Sequence, residues 1–327
     1  RPKLIGSGVI SKEYAWPLHK FVGNRLGSDE KELEISKSSD DSSIPPQEDP
    51  QESDTAQVTA RWAVVIGISA YQDSRIPSLR YAEADAASFY RWLTDQNGGG
   101  YPPERVKRLI GDAATLENMK KVFFEWLAQA QEEDVVCIYF AGHGSPQSPG
   151  KQENLFLLPY DTDYGHIAST AFPMSGLERA VENFIEANRV VILADACHAG
   201  GVGAEFDKFT RSLDRGMKIN PVTEGLTDLT QSPTSEGVCV FSASASQQLS
   251  IEGKEYGGGH GVFSWFLIKG LNGRADFSDD QKVTLGELTT YVTENVRRTT
   301  DQKQTPTVAG RYDPALSIAA DDTEKTE

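Results

Sequence analysis

Two short stretches carry side chains that do chemistry. AGHGS, residues 141–145, sets His143 among glycines, and DACHAGG, residues 195–201, sets Cys197 between an acid and a glycine turn. A thiol and an imidazole are the minimal equipment for nucleophilic acyl transfer. The thiolate attacks a carbonyl carbon, and the imidazole delivers a proton to the leaving amine. Glycine-flanked backbone N–H groups can approach a developing oxyanion closely. His143 precedes Cys197 by 54 residues, so the fold has to bring them together. His198 competes as the base, but consecutive side chains near a strand end diverge, which favours His143. Cys137 and Cys239 lie inside apolar runs and read as small core residues. His260, in YGGGHGVF, reads as a loop residue entering a helix; His19 and His166 carry no signal. Three cysteines without CxxC spacing suit neither a disulfide framework nor a zinc cage, so no metal site is expected and a reducing, cytoplasmic setting is.

The elements that must position these groups alternate. WAVVIGI (62–68), VKRLI (106–110), VVCIYF (135–140), NLFLL (154–158), RVVILA (189–194) and VCVFSA (238–243) read as strands from their β-branched and aromatic content. Between and after them, SLRYAEADAASFYRWL, TLENMKKVFFEWL, MSGLERAVENF, GVFSWFLIKGL and LGELTTYVTENV read as helices. Such alternation predicts an α/β fold with about six strands, mostly parallel, flanked by helices on both faces. Sites in these sheets gather at the carboxyl ends of strands, where VVCIYF runs into AGHGS and RVVILA runs into DACHAGG.

AGHG and DACHAGG resemble the catalytic segments of caspase-like cysteine proteases, the group of caspases, metacaspases and paracaspases. Caspases carry Q-A-C-[RQG]-G with a histidine about 50 residues upstream. Here Asp195 stands in place of that glutamine and His198 follows the thiol, a pattern similar to metacaspases and their bacterial relatives. The resemblance spans roughly residues 61 to 300 and includes IGISAY, LLPYDTD and HGVFSWFLIKGL. It implies a cysteine-type endopeptidase with Cys197 as nucleophile, His143 as general acid and base, and the N–H groups of Gly144 and Cys197 as oxyanion hole. No third member of a triad is identifiable.

Asp195 lies two residues before Cys197, on the same side of the strand by period 2, and is expected at the floor of the pocket for the residue preceding the cut. Asp85, in LRYAEADA, matches the family's second pocket acid, and Glu252 is a further candidate. Caspases that cut after Asp place an arginine where this chain has Leu79. Two carboxylates grip a guanidinium by charge-assisted hydrogen bonds, so cleavage after Arg, and less readily Lys, is expected. An open strand edge beside Ser244 to Ser250 would favour extended peptides. The rival readings are a catalytically silent caspase-fold scaffold acting through a partner, and an amidase on small substrates.

Domain organisation follows from composition. Residues 1–28 read as a prosegment or docking peptide, 29–57 as an acidic Ser/Pro-rich linker, 58–320 as the peptidase domain and 321–327 as a polar tail. Residues 200–236 show no strong periodic segment and read as a long cleavable loop. Arg211, Arg215 and Lys218 in it are candidate processing sites for a zymogen, cut by itself or by an upstream protease or regulator. No cofactor is required. Calcium is a family possibility but is not favoured, because the stretch after His143, GSPQSPGKQEN, holds a single acid. The formal charge of −16 argues against nucleic acid as a partner, and no apolar run is long enough for a membrane helix. The expected partner is a protein or peptide substrate.

Overall fold

The two most continuously buried aliphatic runs, residues 135–142 and 189–196, lie at the centre of the main sheet. The structure, a computed structural model, describes residues 60–148, 151–196, 220–232, 235–246 and 248–320. The segments 1–28 and 29–57, the tail 321–327, and Cys197, His198, Arg211, Arg215 and Lys218 lie outside the described residues. In chain order the strands are β1 (Arg61–Gly67), β2 (Val106–Ile110), β3 (Val135–Gly142), β4 (Gly144–Ser148), β5 (Lys151–Leu157), β6 (Phe172–Pro173), β7 (Arg189–Ala196), β8 (Val238–Ser242), β9 (Glu252–Gly253), β10 (His260–Gly261) and β11 (Thr307–Ala309). The main sheet has six strands in the order β11-β8-β7-β3-β1-β2. All its neighbouring pairs are parallel except β11 with β8, which is antiparallel.

Alternation along the strands divides the core in two. Ala63, Val65, Cys137, Tyr139, Val191, Leu193 and Phe241 face one layer, which packs on α1 (Ala82–Thr94), α6 (Val262–Lys269) and α7 (Leu285–Thr299). Val64, Ile66, Val136, Ile138, Val190 and Ile192 face the other, covered by α2 (Leu116–Lys121), α4 (Met174–Asn183) and α5 (Pro221–Leu229). A short helix, α3 (Ile167–Thr170), precedes β6. Local signals set the helix starts. Thr115 accepts from the Asn118 N–H, and Thr284 with Glu287 forms a capping box. Among the described residues no helix is long and apolar enough to cross a membrane.

Three expectations are corrected. NLFLL is not part of the main sheet: residues 154–157 belong to β5, in a three-stranded antiparallel sheet with β4 and β6. The sixth main strand is β11, a three-residue segment too short to show a period. It pairs with residues 240–242 of β8, short of the stretch Ser244 to Ser250, and Gln304, just before β11, donates to the Ala243 carbonyl and accepts from the Ile251 N–H. Within 200–236, residues 221–229 form α5, with Asn220 accepting from the N–H groups of Val222 and Thr223. The Asn-Pro start and the Val222, Leu226, Leu229 spacing were the signal for it.

Gly67 marks the tightest strand–helix approach. A Cβ there would overlap the Ala86 methyl and press on the Ala82 carbonyl. Because both contacts are rigid parts of α1, Gly67→Ala is expected to destabilise the fold by about 1–3 kcal/mol in urea denaturation. An unchanged midpoint would show that α1 can slide off β1.

Candidate active site

The register of β3 and β7 carries the two chemical stretches to one edge. Ala141 pairs with Asp195 and Gly142 with Ala196, so the next residues along the two strands are His143 and Cys197. Cys197 itself lies outside the described residues. His143 is buried, and its backbone is pinned on both sides: its N–H donates to the Tyr71 hydroxyl at 2.8 Å and its carbonyl accepts from the Leu158 N–H at 2.9 Å. The Tyr71 ring stacks on the imidazole with centroids 5.4 Å apart. His143 Nε2 lies 2.9 Å from the carbonyl oxygen of Pro77. A carbonyl can only accept, so this bond places a proton on Nε2. Sequence reading could not single out this contact, because a backbone carbonyl has no residue signature. Gly144, the next residue, packs so tightly that a Cβ would overlap the Val222 side chain of α5.

Asp195 and Asp85 come together from β7 and α1. Both are buried, and Gly261 of β10 lies between them: a Cβ on it would sit 2.5 Å from Asp195 Oδ2 and 3.2 Å from Asp85 Oδ2. Only glycine leaves room for both carboxylates. Asp195 Oδ2 accepts from the Ser264 hydroxyl at 2.6 Å and from the Ser264 N–H at 3.3 Å. Since that hydroxyl has spent its one proton on Asp195, the 2.6 Å contact between Tyr139 and Ser264 is donated by the tyrosine. Asp85 Oδ2 accepts from the Gly261 N–H at 3.0 Å, and Asp85 Oδ1 lies 2.6 Å from His260 Nδ1. His260 is therefore bonded to an acid of this cluster, where the sequence suggested only a loop position.

Glu252 joins the same neighbourhood through β9, whose residue Glu252 pairs with Gly261. Its two oxygens accept from the N–H groups of Arg80 and Tyr81, at 3.2 and 3.3 Å, so it caps the start of α1 from a distant part of the chain. Leu79 is buried in the core on α1's approach. Asp161 and Asp163 are engaged locally: Asp161 accepts from the Leu116 N–H, and Asp163 accepts from the Gly165 N–H and from Arg75.

Electrostatics follow from that packing. Burial raises the Asp85 pKa from 3.8 to about 7; the His260 hydrogen bond opposes the rise and the charge of Asp195 adds to it. Burial likewise raises Asp195 to about 6, opposed by the Ser264 and Ser250 hydroxyls and helped by Glu252. Glu252 is raised by its own partial burial. Burial thus raises all three acids of this cluster, and each is opposed by hydrogen bonds from its neighbours.

Comparison with known proteins places the chain. A model of the caspase domain matches residues 60–312, and the chain belongs to the caspase-domain family. The fold agrees with solved structures. A structural-genomics protein of Geobacter sulfurreducens is similar with a TM-score of 0.53 and 17% identity, over 80% of this chain and 97% of that one. Caspase-1 of Spodoptera frugiperda is similar with a TM-score of 0.54 and 12% identity, over 80% and 91%. At such identities the likeness shows the fold alone. No curated protein matches the chain.

A stability test follows from the buried acids. Asp195 holds its proton up to about pH 6 in the folded chain but only to 3.8 as a free side chain. Its burial therefore costs nothing below about pH 4, where both states are protonated, and the cost is complete above pH 6 or so. Asp195→Asn keeps an acceptor for Ser264 and should exceed the wild type by roughly 3 kcal/mol near pH 8, with the gain vanishing below about pH 4. Denaturation curves at the two pH values check this; a loss of stability near pH 8 would show that the carboxylate has a counter-charge strong enough to offset its burial.

Proposed function

We propose that the protein is a cysteine endopeptidase that cuts after Arg, and less readily after Lys. The observation that carries this reading is the pair of buried carboxylates, Asp85 and Asp195, at the strand edge where β3 leads into His143 and β7 into Cys197. A guanidinium offers planar donors to two acids at once, whereas an ammonium is a point charge that reaches them less completely. A substrate carboxylate would meet like charge in a dry pocket.

In the proposed reaction, the Cys197 thiolate attacks the carbonyl carbon of the scissile bond. The C–S bond forms, and the N–H groups of Gly144 and Cys197 receive the oxyanion. His143 passes a proton to the leaving amine as the C–N bond breaks, the Pro77 carbonyl holding its ring in place. Water then attacks the acyl-enzyme, gives a proton to His143, and releases the new carboxylate and the thiol. Glu252 supports the pocket by capping the helix that carries Asp85. No metal or cofactor enters these steps.

Residues 200–236 hold the candidate cleavage sites Arg211, Arg215 and Lys218 ahead of α5, whose Val222 packs over Gly144. Cleavage there would free the chain between the thiol and α5, which supports activation of a zymogen by cutting. The pure protein is expected to be nicked in this segment and Cys197→Ala to remain intact; equal nicking of both would assign the cut to another protease.

Fluorogenic peptides ending in Arg, Lys and Asp test the specificity. Hydrolysis should rank Arg above Lys with none after Asp, and kcat/KM for the Arg peptide should rise between about pH 5.5 and pH 7.5 as Asp195 and Asp85 ionise. Asp85→Asn should lower kcat/KM for Arg by roughly 100-fold, mostly through KM. Cleavage after Asp would overturn the pocket, and absence of turnover in nicked protein would favour a non-catalytic scaffold.

A further inference from the structure

The hairpin of β9 and β10 does more than close the pocket. It carries Glu252 and His260, and it places Gly261 between the two aspartates. His260 is mostly buried, with its side chain 17% exposed, and it is fixed on two sides. Its ring stacks on Trp265 with centroids 5.6 Å apart and planes 18° from parallel, while its Nδ1 meets Asp85 Oδ1. Lys269 in turn lies 4.6 Å over the Trp265 ring. Asp85 thus has one oxygen on the imidazole and the other on the Gly261 N–H, facing Asp195. The carboxylate plane is set by two partners that sit next to each other in sequence.

Building on the basic-residue specificity proposed above, we propose that His260 is a positioning residue of the specificity pocket: it holds the Asp85 carboxylate toward Asp195 and in its anionic form, so that the pocket receives a guanidinium near neutral pH. The charged groups around it come from every packed element. Asp85 bonds it from α1, Arg91 of α1 and Asp95 just beyond that helix line a cavity with it, and Lys269 approaches from α6 through Trp265, Glu252 from β9, and Asp195 from β7 across Gly261. Of these only Asp85 is in hydrogen-bond contact with the imidazole, so exchanging His260 acts first on Asp85. Without the imidazole, Asp85 keeps its burial and its repulsion by Asp195 and loses the partner that opposes both.

The test uses the full chain with His260→Gln, which preserves a polar side chain, and His260→Phe, which preserves the stack on Trp265. In Cys197→Ala protein, the carbon-13 titration of the Asp85 carboxyl, assigned by its loss in Asp85→Asn, should move to higher pH by about one unit in both variants. In the active enzyme the acid limb of kcat/KM for the Arg peptide should move the same way, with KM raised about tenfold and kcat nearly unchanged. A role in packing alone would be cured by Phe and would leave both titrations in place. Superimposable Asp85 titrations in wild type and both variants would overturn the proposal. If the wild type cuts no Arg peptide, the specificity reading falls, while the carboxyl titration still decides the role of His260.

Discussion

Burying two carboxylates beside each other is the constraint on which the rest of this site depends. Like charges in a dry place repel, and each loses its hydration. The protein holds Asp85 and Asp195 there by distributing donors around them: the Ser264 hydroxyl and N–H on one, the Gly261 N–H and His260 on the other. These four donors come from a single continuous stretch, residues 260–264, where β10 turns into α6, and the Ser250 hydroxyl adds to them on Asp195. That stretch is the chain's answer to the charge problem, and Gly261 is small because the acids on either side leave no space for a Cβ. Burying the acids costs stability, since neutral residues in their place would fold more readily.

The neighbouring histidine shows the same economy with backbone groups. His143 takes its orientation from the Pro77 carbonyl, the Tyr71 hydroxyl and the Leu158 N–H, and from the flat face of the Tyr71 ring. These partners lie on two loops at the carboxyl edge of the sheet, one after β1 and one after β5. The orientation of this imidazole is therefore coupled to the packing of those loops. The same edge is where α5 presses on Gly144, so the segment that follows the thiol in sequence also shapes the surroundings of the histidine.

The family match and the agreement in fold with caspase-like structures rest on this framework, and the identities of 12% and 17% show how little side-chain identity the framework needs. Parallel strands with apolar faces and two helical layers are enough to specify it. What differs between members has to be read at the strand edge, residue by residue.

Much of the framework was already determined by the amino-acid sequence. Apolar runs of strand length, helical stripes and the capping signals at Thr115 and Thr284 are local properties, and they correctly marked the central strands and their flanking helices. The acids Asp85 and Asp195 were also legible, through motif resemblance and the two-residue period of the strand. Only the tertiary structure decided that β5 leaves the main sheet, that β11 joins it next to β8, and that His260 meets Asp85 at a sequence separation of 175. The reason is physical: hydrophobic period and capping are set by near neighbours in the chain. Strand partners, buried counter-charges and bonds to backbone carbonyls are set by which distant segments share a surface, and that has no imprint on local spacing.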